Sequence, residues 1–360
     1  MHLQSGSGYC GGIANYISAL IKSKTFTKYS NHVIAPGTKV THLKTKNNLY
    51  PNALVHDLPP SYSIFSLIPY LVSVYKVLKK EKINILHSHA LRSGLIACVI
   101  SLFLDIRVVH TTHGLRYTQK NMIGSLISFL IESLVLLRSD YVIAIRKSDY
   151  RIMLKKFGRF KEKIKFIPTR LGKIAEFSSG EFDGNQLKVI GVGSLIEIKR
   201  PKKFVEWIKE LSQHGLNVSA TWVGDGPLFP CIKKLVKMKN VNISLPGQMS
   251  KNEVAMHMKN AHFLFLTSEY EVMPLSVIEA YSCGLPVIAN YFSGVEDFVE
   301  DGKTGLIIGE KENFIDIIIP IISNSKQFKK MSINAYEKFL KEFYDSELMA
   351  SQYKLLYESF

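Results

Sequence analysis

Residues 267–290, TSEYEVMPLSVIEAYSCGLPVIAN, limit the possible folds more than any other stretch of the chain. Residues 262–266 in front of it and 286–289 at its end are short apolar runs, the pattern of strands buried on both faces. Between them the spacing predicts a short helix. Pro274 suits its first turn, where a missing N–H costs nothing, and Gly284 suits its end, where a left-handed residue is wanted. Strand, helix and strand in this order make one unit of a parallel sheet, so the chain reads as α/β.

Two carboxylates, Glu271 and Glu279, lie within this unit with seven residues between them. Glu271 falls at the carboxyl end of a strand, where open α/β sheets hold ligands, and Glu279 lies on the helix, able to turn to the same crevice. The helix start between them offers free N–H groups to an anion such as a diphosphate. At about 1.5 Å per helical residue the two acids stand roughly 10 Å apart, the span from a sugar at one end of a diphosphate to a ribose at the other. The competing reading makes Ser276 and Glu279 a capping box, with Glu279 only satisfying a backbone donor.

The chain's 360 residues suit two domains, and 46% hydrophobic with 21% charged residues is a globular composition. Cys10, Cys98, Cys231 and Cys283 show no pairing or ligand spacing, which points to reduced thiols and a cytosolic compartment. No secretory signal is visible, and the most apolar long segment, 123–137, is too short to span a bilayer and contains Glu132. The net charge of +16 is unevenly placed: residues 1–177 carry 26 Lys and Arg against 8 Asp and Glu, and residues 178–360 carry 20 against 22. The first half therefore faces an acidic partner. Residues 121–156 combine long apolar faces with a basic end and lack the interleaved aromatics that stack bases, which favours an anionic membrane surface over nucleic acid.

Along the chain, a Gly-rich turn at 5–12 opens a helix over 13–21, a start that brings backbone N–H groups near a phosphate. Strands are expected at 32–36, 83–89, 107–113, 140–145, 164–168, 187–192 and 241–246, with helices at 63–82, 93–104 and 329–360. Residues 174–186, rich in Ser, Gly and acid, read as a linker. His87, His89, His110 and His113 cluster at two strand ends, but no Cys or paired carboxylate sits at ligand spacing, and no metal site is expected.

Taken together, Ser268, Glu271, Glu279-Ala280, the exit 284–287 and the downstream run 300–306 resemble the Glu-x7-Glu signature of retaining glycosyltransferase family 4. The resemblance extends over nearly the whole chain and is most specific from 189 to 309. It implies the GT-B fold: two Rossmann-like domains with the active site in the cleft between them. An acceptor domain would occupy 1–177, joined by a final helix at about 345–360, and a nucleotide-sugar domain 178–344. It implies transfer of a sugar, hexosyl or N-acetylhexosaminyl, from a UDP- or GDP-linked donor with retention of configuration, without metal or other cofactor. The implied acceptor is a lipid-linked glycan of bacterial surface polysaccharide, at the inner face of the plasma membrane.

By the same resemblance, Glu271 holds sugar hydroxyls, Glu279 the ribose, and Lys199 the diphosphate, under a loop containing Gly11 and Gly12. Backbone N–H groups of Met273, Pro274 and Leu275 face the sugar or diphosphate. His113 lies against donor sugar and acceptor, while Ser88 and His89 line the acceptor side. Ser194 occupies the position where the family carries a diphosphate-binding Arg, which weakens that grip or shifts part of it to Arg200. That departure and an abbreviated first strand, unless the true start lies upstream, support the rival reading of a non-catalytic binding partner or scaffold.

Overall fold

The computed structural model describes residues 1–4, 12–36, 49–58, 66–115, 122–178 and 185–360. It divides into two compact units, Met1–Gly172 with Asp345–Phe360, and Lys173–Tyr344.

In the first unit, β1 (His2–Gln4), β2 (Asn31–Pro36), β3 (Ala53–Leu58), β4 (Ile85–His89), β5 (Arg107–Thr112), β6 (Tyr141–Ala144) and β7 (Ile164–Phe166) pair in parallel in the order β3-β2-β1-β4-β5-β6-β7. Helices α1 (Gly12–Lys22), α2 (Leu67–Lys80), α3 (Ala90–Ile100), α4 (Met122–Arg138) and α5 (Lys147–Lys156) connect them. Alternation along each strand separates two faces. Leu3, Leu86 and Val108 pack with Val74, Leu78, Ile96 and Ile100 in an aliphatic core. The neighbouring positions on β1 and β4, His2, Gln4, His87 and His89, point to the other face and are buried as well.

In the second unit, β8 (Leu187–Val192), β9 (Val218–Val223), β10 (Ile243–Gly247), β11 (Phe263–Leu266), β12 (Val287–Asn290) and β13 (Gly305–Ile308) follow the order β10-β9-β8-β11-β12-β13, again all parallel. They alternate with α6 (Pro201–Gln213), α7 (Phe229–Lys239), α8 (Lys251–Lys259), α9 (Leu275–Ser282), α10 (Phe314–Ile322) and α11 (Ser325–Lys338). Helix α6 shows how pattern becomes packing: Pro201 opens it, and Phe204, Val205, Trp207, Ile208 and Leu211 form one buried stripe at helical spacing. A π-helical turn, Phe339–Phe343, follows α11, and α12 (Ser346–Tyr357) belongs to the first unit. There Glu347 accepts hydrogen bonds from the Lys24 and Thr25 backbone N–H groups.

In both sheets the strand order reverses beside the first strand of the unit, between β1 and β4 and between β8 and β11. Open α/β sheets form their ligand crevices at the carboxyl ends of strands at such reversals.

The boundary between units falls at 172/173 rather than at 177/178. Residues 173–178 join the second unit: the Ser178 N–H donates to the Cys283 carbonyl at 3.0 Å, and the Phe177 ring packs on Tyr336. Phe177 also lies over Gly284, whose left-handed φ of 74° ends α9 as expected. Pro274 is the N-cap of α9, one position ahead of the first turn.

Candidate functional site

At the carboxyl end of β8 the loop 193–200 is shaped by the loop after β9. The Trp222 indole N–H donates to the Gly193 carbonyl at 2.9 Å, and Leu195 N–H donates to the Asp225 carbonyl at 3.0 Å. A Cβ on Gly224 would stand 2.1 Å from the Gly193 carbonyl oxygen, so glycine is required for this close approach. Arg200 has a left-handed φ of 49°, a strained setting for a side chain larger than glycine, and starts α6 as its N-cap.

The loop after β11 is stitched to this one. Thr267 Oγ1 donates to the Lys199 carbonyl at 3.0 Å, and Glu269 N–H to the Ile198 carbonyl at 2.8 Å. This brings two expected ligand groups into direct contact. Lys199 Nζ donates to Glu271 Oε1 at 2.5 Å, and Ser268 Oγ donates to the same oxygen at 2.7 Å. Glu271 is buried and Lys199 half-buried. Behind them Lys203 Nζ donates to Asn290 Oδ1 at 2.8 Å. Burial, reinforced by the Arg200 charge, holds the Lys203 ammonium below the ordinary lysine range. Lys203 and Asn290 carry no motif signal in the sequence; only the fold places them beside the loop.

Glu279 sits on α9 with no side-chain hydrogen bond or ion pair among the described residues. The capping box does not form, because Pro274 is the N-cap and Ser276 already lies inside the helix. Burial pushes the Glu279 carboxyl up to about 7, against the opposing pull of Lys251. Of the three residues expected to supply backbone donors, Pro274 has no N–H, so that role rests on Met273 and Leu275. Ser194 is exposed at the start of its loop. The run 300–306 does structural work: Glu300 receives a hydrogen bond from the buried Lys338 ammonium at 2.7 Å, and Asp301 accepts from the Ile307 N–H.

In the first unit, Gly12 opens α1 and is exposed, with open space where a Cβ would stand; Gly11 lies outside the described residues. His113 follows β5. Its Nε2 lies 3.2 Å from His89 Nδ1, and His89 Nε2 lies 3.2 Å from His2 Nδ1. The Tyr16 ring meets His113 edge-on at 5.3 Å. Tyr16 and Tyr353 share a short hydroxyl–hydroxyl hydrogen bond, and Tyr353 reaches Thr111 Oγ1 at 3.0 Å. Thr111 in turn lies 2.7 Å from His87 Nε2, and His87 Nδ1 lies 2.5 Å from the Tyr357 hydroxyl. Burial pushes the His113 imidazole down to about 3 and holds His2, His87 and His89 well below the ordinary histidine range.

These contacts revise two expectations. Ser88 and His89 are fully buried and do not line an open surface. Ser88 Oγ faces His110 Nδ1 at 2.9 Å on the opposite side of the sheet, and His89 stands behind His113. The histidine cluster also has a different membership: β1 pairs with β4 so that His2 stands opposite His87, while His110 turns away. His2 has no neighbouring motif in the sequence and is recruited only by strand pairing.

Helix α4 leaves Leu126, Ile127, Leu130, Leu134 and Leu137 exposed while Val135 and Leu136 are buried, so this segment is only partly core. Near its end a groove of about 600 Å³ is lined by Phe129, Leu134, Leu137, Phe157, Lys156 and Arg159. No described helix is long and apolar enough to cross a membrane.

Two family models match the chain: Glycosyltransferase Family 4 over residues 10–169 and Glycosyl transferases group 1 over residues 173–338. Among curated proteins, the chain is 27% identical to an uncharacterized glycosyltransferase of Methanocaldococcus jannaschii, over 93% of this chain and 91% of that one. It is also 27% identical to the UDP-Gal:alpha-D-GlcNAc-diphosphoundecaprenol alpha-1,3-galactosyltransferase of Escherichia coli, over 76% and 75%. Among solved structures, HepE of Anabaena in complex with UDP and glucose superposes with a TM-score of 0.81 at 17% identity, covering 100% of this chain and 99% of that one. At this identity the likeness establishes the fold, which is GT-B.

Proposed function

The chain belongs to the family 4, group 1 glycosyltransferases, and from that premise we propose that it moves a sugar from a UDP- or GDP-linked donor to a lipid-linked glycan, with retention of configuration, in bacterial surface polysaccharide assembly. The observation that carries this reading is the Lys199–Glu271 pair with Ser268, held at the strand-order reversal by two interlocked loops. A cation and a carboxylate already paired and already placed need only exchange partners when the donor arrives. Lys199 passes to the diphosphate, and Glu271, still held by Ser268, accepts from the sugar hydroxyls. Glu279 accepts from the ribose hydroxyls, and the Met273 and Leu275 N–H groups add neutral donors near the leaving diphosphate. The protein thus stabilises charge and positions the partners, the main terms in a reaction where the leaving diphosphate takes the acceptor proton. His113, neutral at physiological pH, offers a hydrogen bond without adding charge.

The lipid-linked acceptor is supported by the acceptor that the Escherichia coli relative's name states, and by the exposed apolar stripe of α4 beside Lys156 and Arg159. This combination suits the cytosolic face of an anionic bilayer. In this reading Lys199 and the backbone N–H groups of Met273 and Leu275 meet the diphosphate charge, so added Mg2+ or Mn2+ should leave turnover unchanged.

The test is thermal unfolding against a panel of nucleotide-sugars, followed by NMR of the product anomer. A donor at a hundred times its Kd should add about 2.7 kcal/mol of stability, and Lys199→Met should abolish that gain. Vesicles with and without anionic lipid test the membrane face, with Leu130→Ser expected to weaken binding. If no nucleotide-sugar stabilises the parent protein, the scaffold reading built on Ser194 replaces this one.

A further inference from the structure

His2, His87 and His89 occupy one face of the first sheet. His2 pairs with His87 across β1 and β4, and His89 follows two residues later on β4, which returns it to the same side. A His-x-His on one strand and a histidine opposite it on the next thus bring three imidazoles to a point. One nitrogen from each lies within 4.8 Å of the others. Ring centroids are 4.2 Å apart for His87 and His89, 5.1 Å for His2 and His87, and 5.4 Å for His2 and His89. With Zn–N near 2.1 Å, a tetrahedral site sets ligand nitrogens roughly 3.4 Å apart and ring centroids roughly 5 Å apart. The 3.2 Å between His2 Nδ1 and His89 Nε2 already matches one edge of that figure, and only the His87–His89 pair must open, by about 1 Å.

We propose that His2, His87 and His89 form a binding site for one divalent transition-metal ion of the zinc class, held by three imidazoles behind His113. Three borderline nitrogen donors with no carboxylate among them select Zn2+, Co2+, Ni2+ or Cu2+ over Mg2+ and Ca2+. The surroundings are those of a ligand set. The nitrogen of His89 that faces away from His2 meets His113, and His87 is held by Tyr357 through one nitrogen and by Thr111 through the other, so whichever binds the ion leaves its opposite anchored. A cavity of about 190 Å³ adjoins His2, His87 and Tyr357, which gives room for a water in the fourth position. With His89 Nε2 on the metal, the His89 proton is confined to Nδ1 and donates to His113 Nε2. The ion therefore also sets the tautomer of His113, whose own proton must sit on Nδ1.

The experiment uses the full chain, stripped with chelator and titrated with Co2+. The expected result is one Co2+ per chain with the intense visible bands of four-coordinate cobalt, bleached when Zn2+ is added. His2→Gln and His89→Gln should weaken binding a hundredfold or more, and the exposed His214→Gln should leave it unchanged. X-ray absorption of the zinc-loaded parent protein should count three imidazoles, a reading that needs no variant to fold. Absence of stoichiometric four-coordinate cobalt, fewer than three imidazoles, or equal binding by folded triad variants would each overturn the proposal. None of these readouts uses glycosyl transfer, so they stand whichever way the donor assay falls.

Discussion

The two units share a strand order, yet one face of the first sheet is packed with chemistry opposite to that of the second unit's core. In the second, Trp207 stacks on Phe314 at 4.6 Å, and Phe265 meets both edge-on at 5.5 and 5.7 Å. In the first, the layer between β1, β4, α1 and α12 is built from His2, His87, His89, Thr111, Tyr16, Tyr353 and Tyr357, joined by hydrogen bonds. Topology alone does not decide what a core is made of. A hydrocarbon layer is indifferent to protons, whereas a layer of buried imidazoles survives only while they stay neutral and each finds a partner.

The largest consequence is a difference in acid stability. His2, His87, His89, His110 and His113 all have folded values below 6.5, so the unfolded chain takes up protons that the folded first unit refuses. Their contribution is intact above pH 6.5 and is lost as pH falls towards the lowered values. Because the five act in the same direction, the loss steepens as pH falls. Trp207 and Trp222, the chain's two tryptophans, both lie in the second unit. In an acid titration, far-UV circular dichroism should therefore change before tryptophan fluorescence does. Coincident transitions would break the comparison.

Next in size, Phe265→Ala should cost about 3 to 5 kcal/mol at any pH, because it opens a cavity at the centre of the aromatic cluster. Chemical denaturation at pH 6 and pH 8 checks both the size and the lack of pH dependence.

Glu279 runs opposite to the histidines. Its folded value, raised from 4.5 to about 7, penalises the folded state increasingly as pH rises between those values. Glu279→Gln should accordingly raise stability by about 3 kcal/mol above pH 7 and by little near pH 4.5. Melting curves of the two proteins across that range sharpen the contrast, and a variant no more stable than the parent at pH 8 would remove it.

The smallest effect is on binding. Hydroxyl donors favour the ionised carboxyl, so the Kd of a nucleotide-sugar should weaken about tenfold per unit as pH falls below about 7, and Glu279→Gln should flatten the profile. Calorimetric titration at several pH values measures it.

Much of this was legible in the residue order. The alternation of apolar runs with helical stripes, Gly284 at a left-handed position and the Glu271–Glu279 spacing all mark a parallel α/β unit with ligand groups at strand ends, because each depends on neighbours close in the chain. The same local logic misplaced the start of α9 by one residue and counted Pro274 among the N–H donors.

Tertiary structure alone decided the partners. Lys199 and Glu271 are 72 residues apart and meet because β8 and β11 are neighbours. His2 joins His87 because β1 inserts beside β4, and Tyr353 reaches Tyr16 because α12 packs against α1 within the first unit. Ser88 and His89, adjacent in sequence, go to opposite faces of one strand. Periodicity reports which face a residue takes, but strand order settles what waits on that face, and strand order is a property of the whole chain's packing.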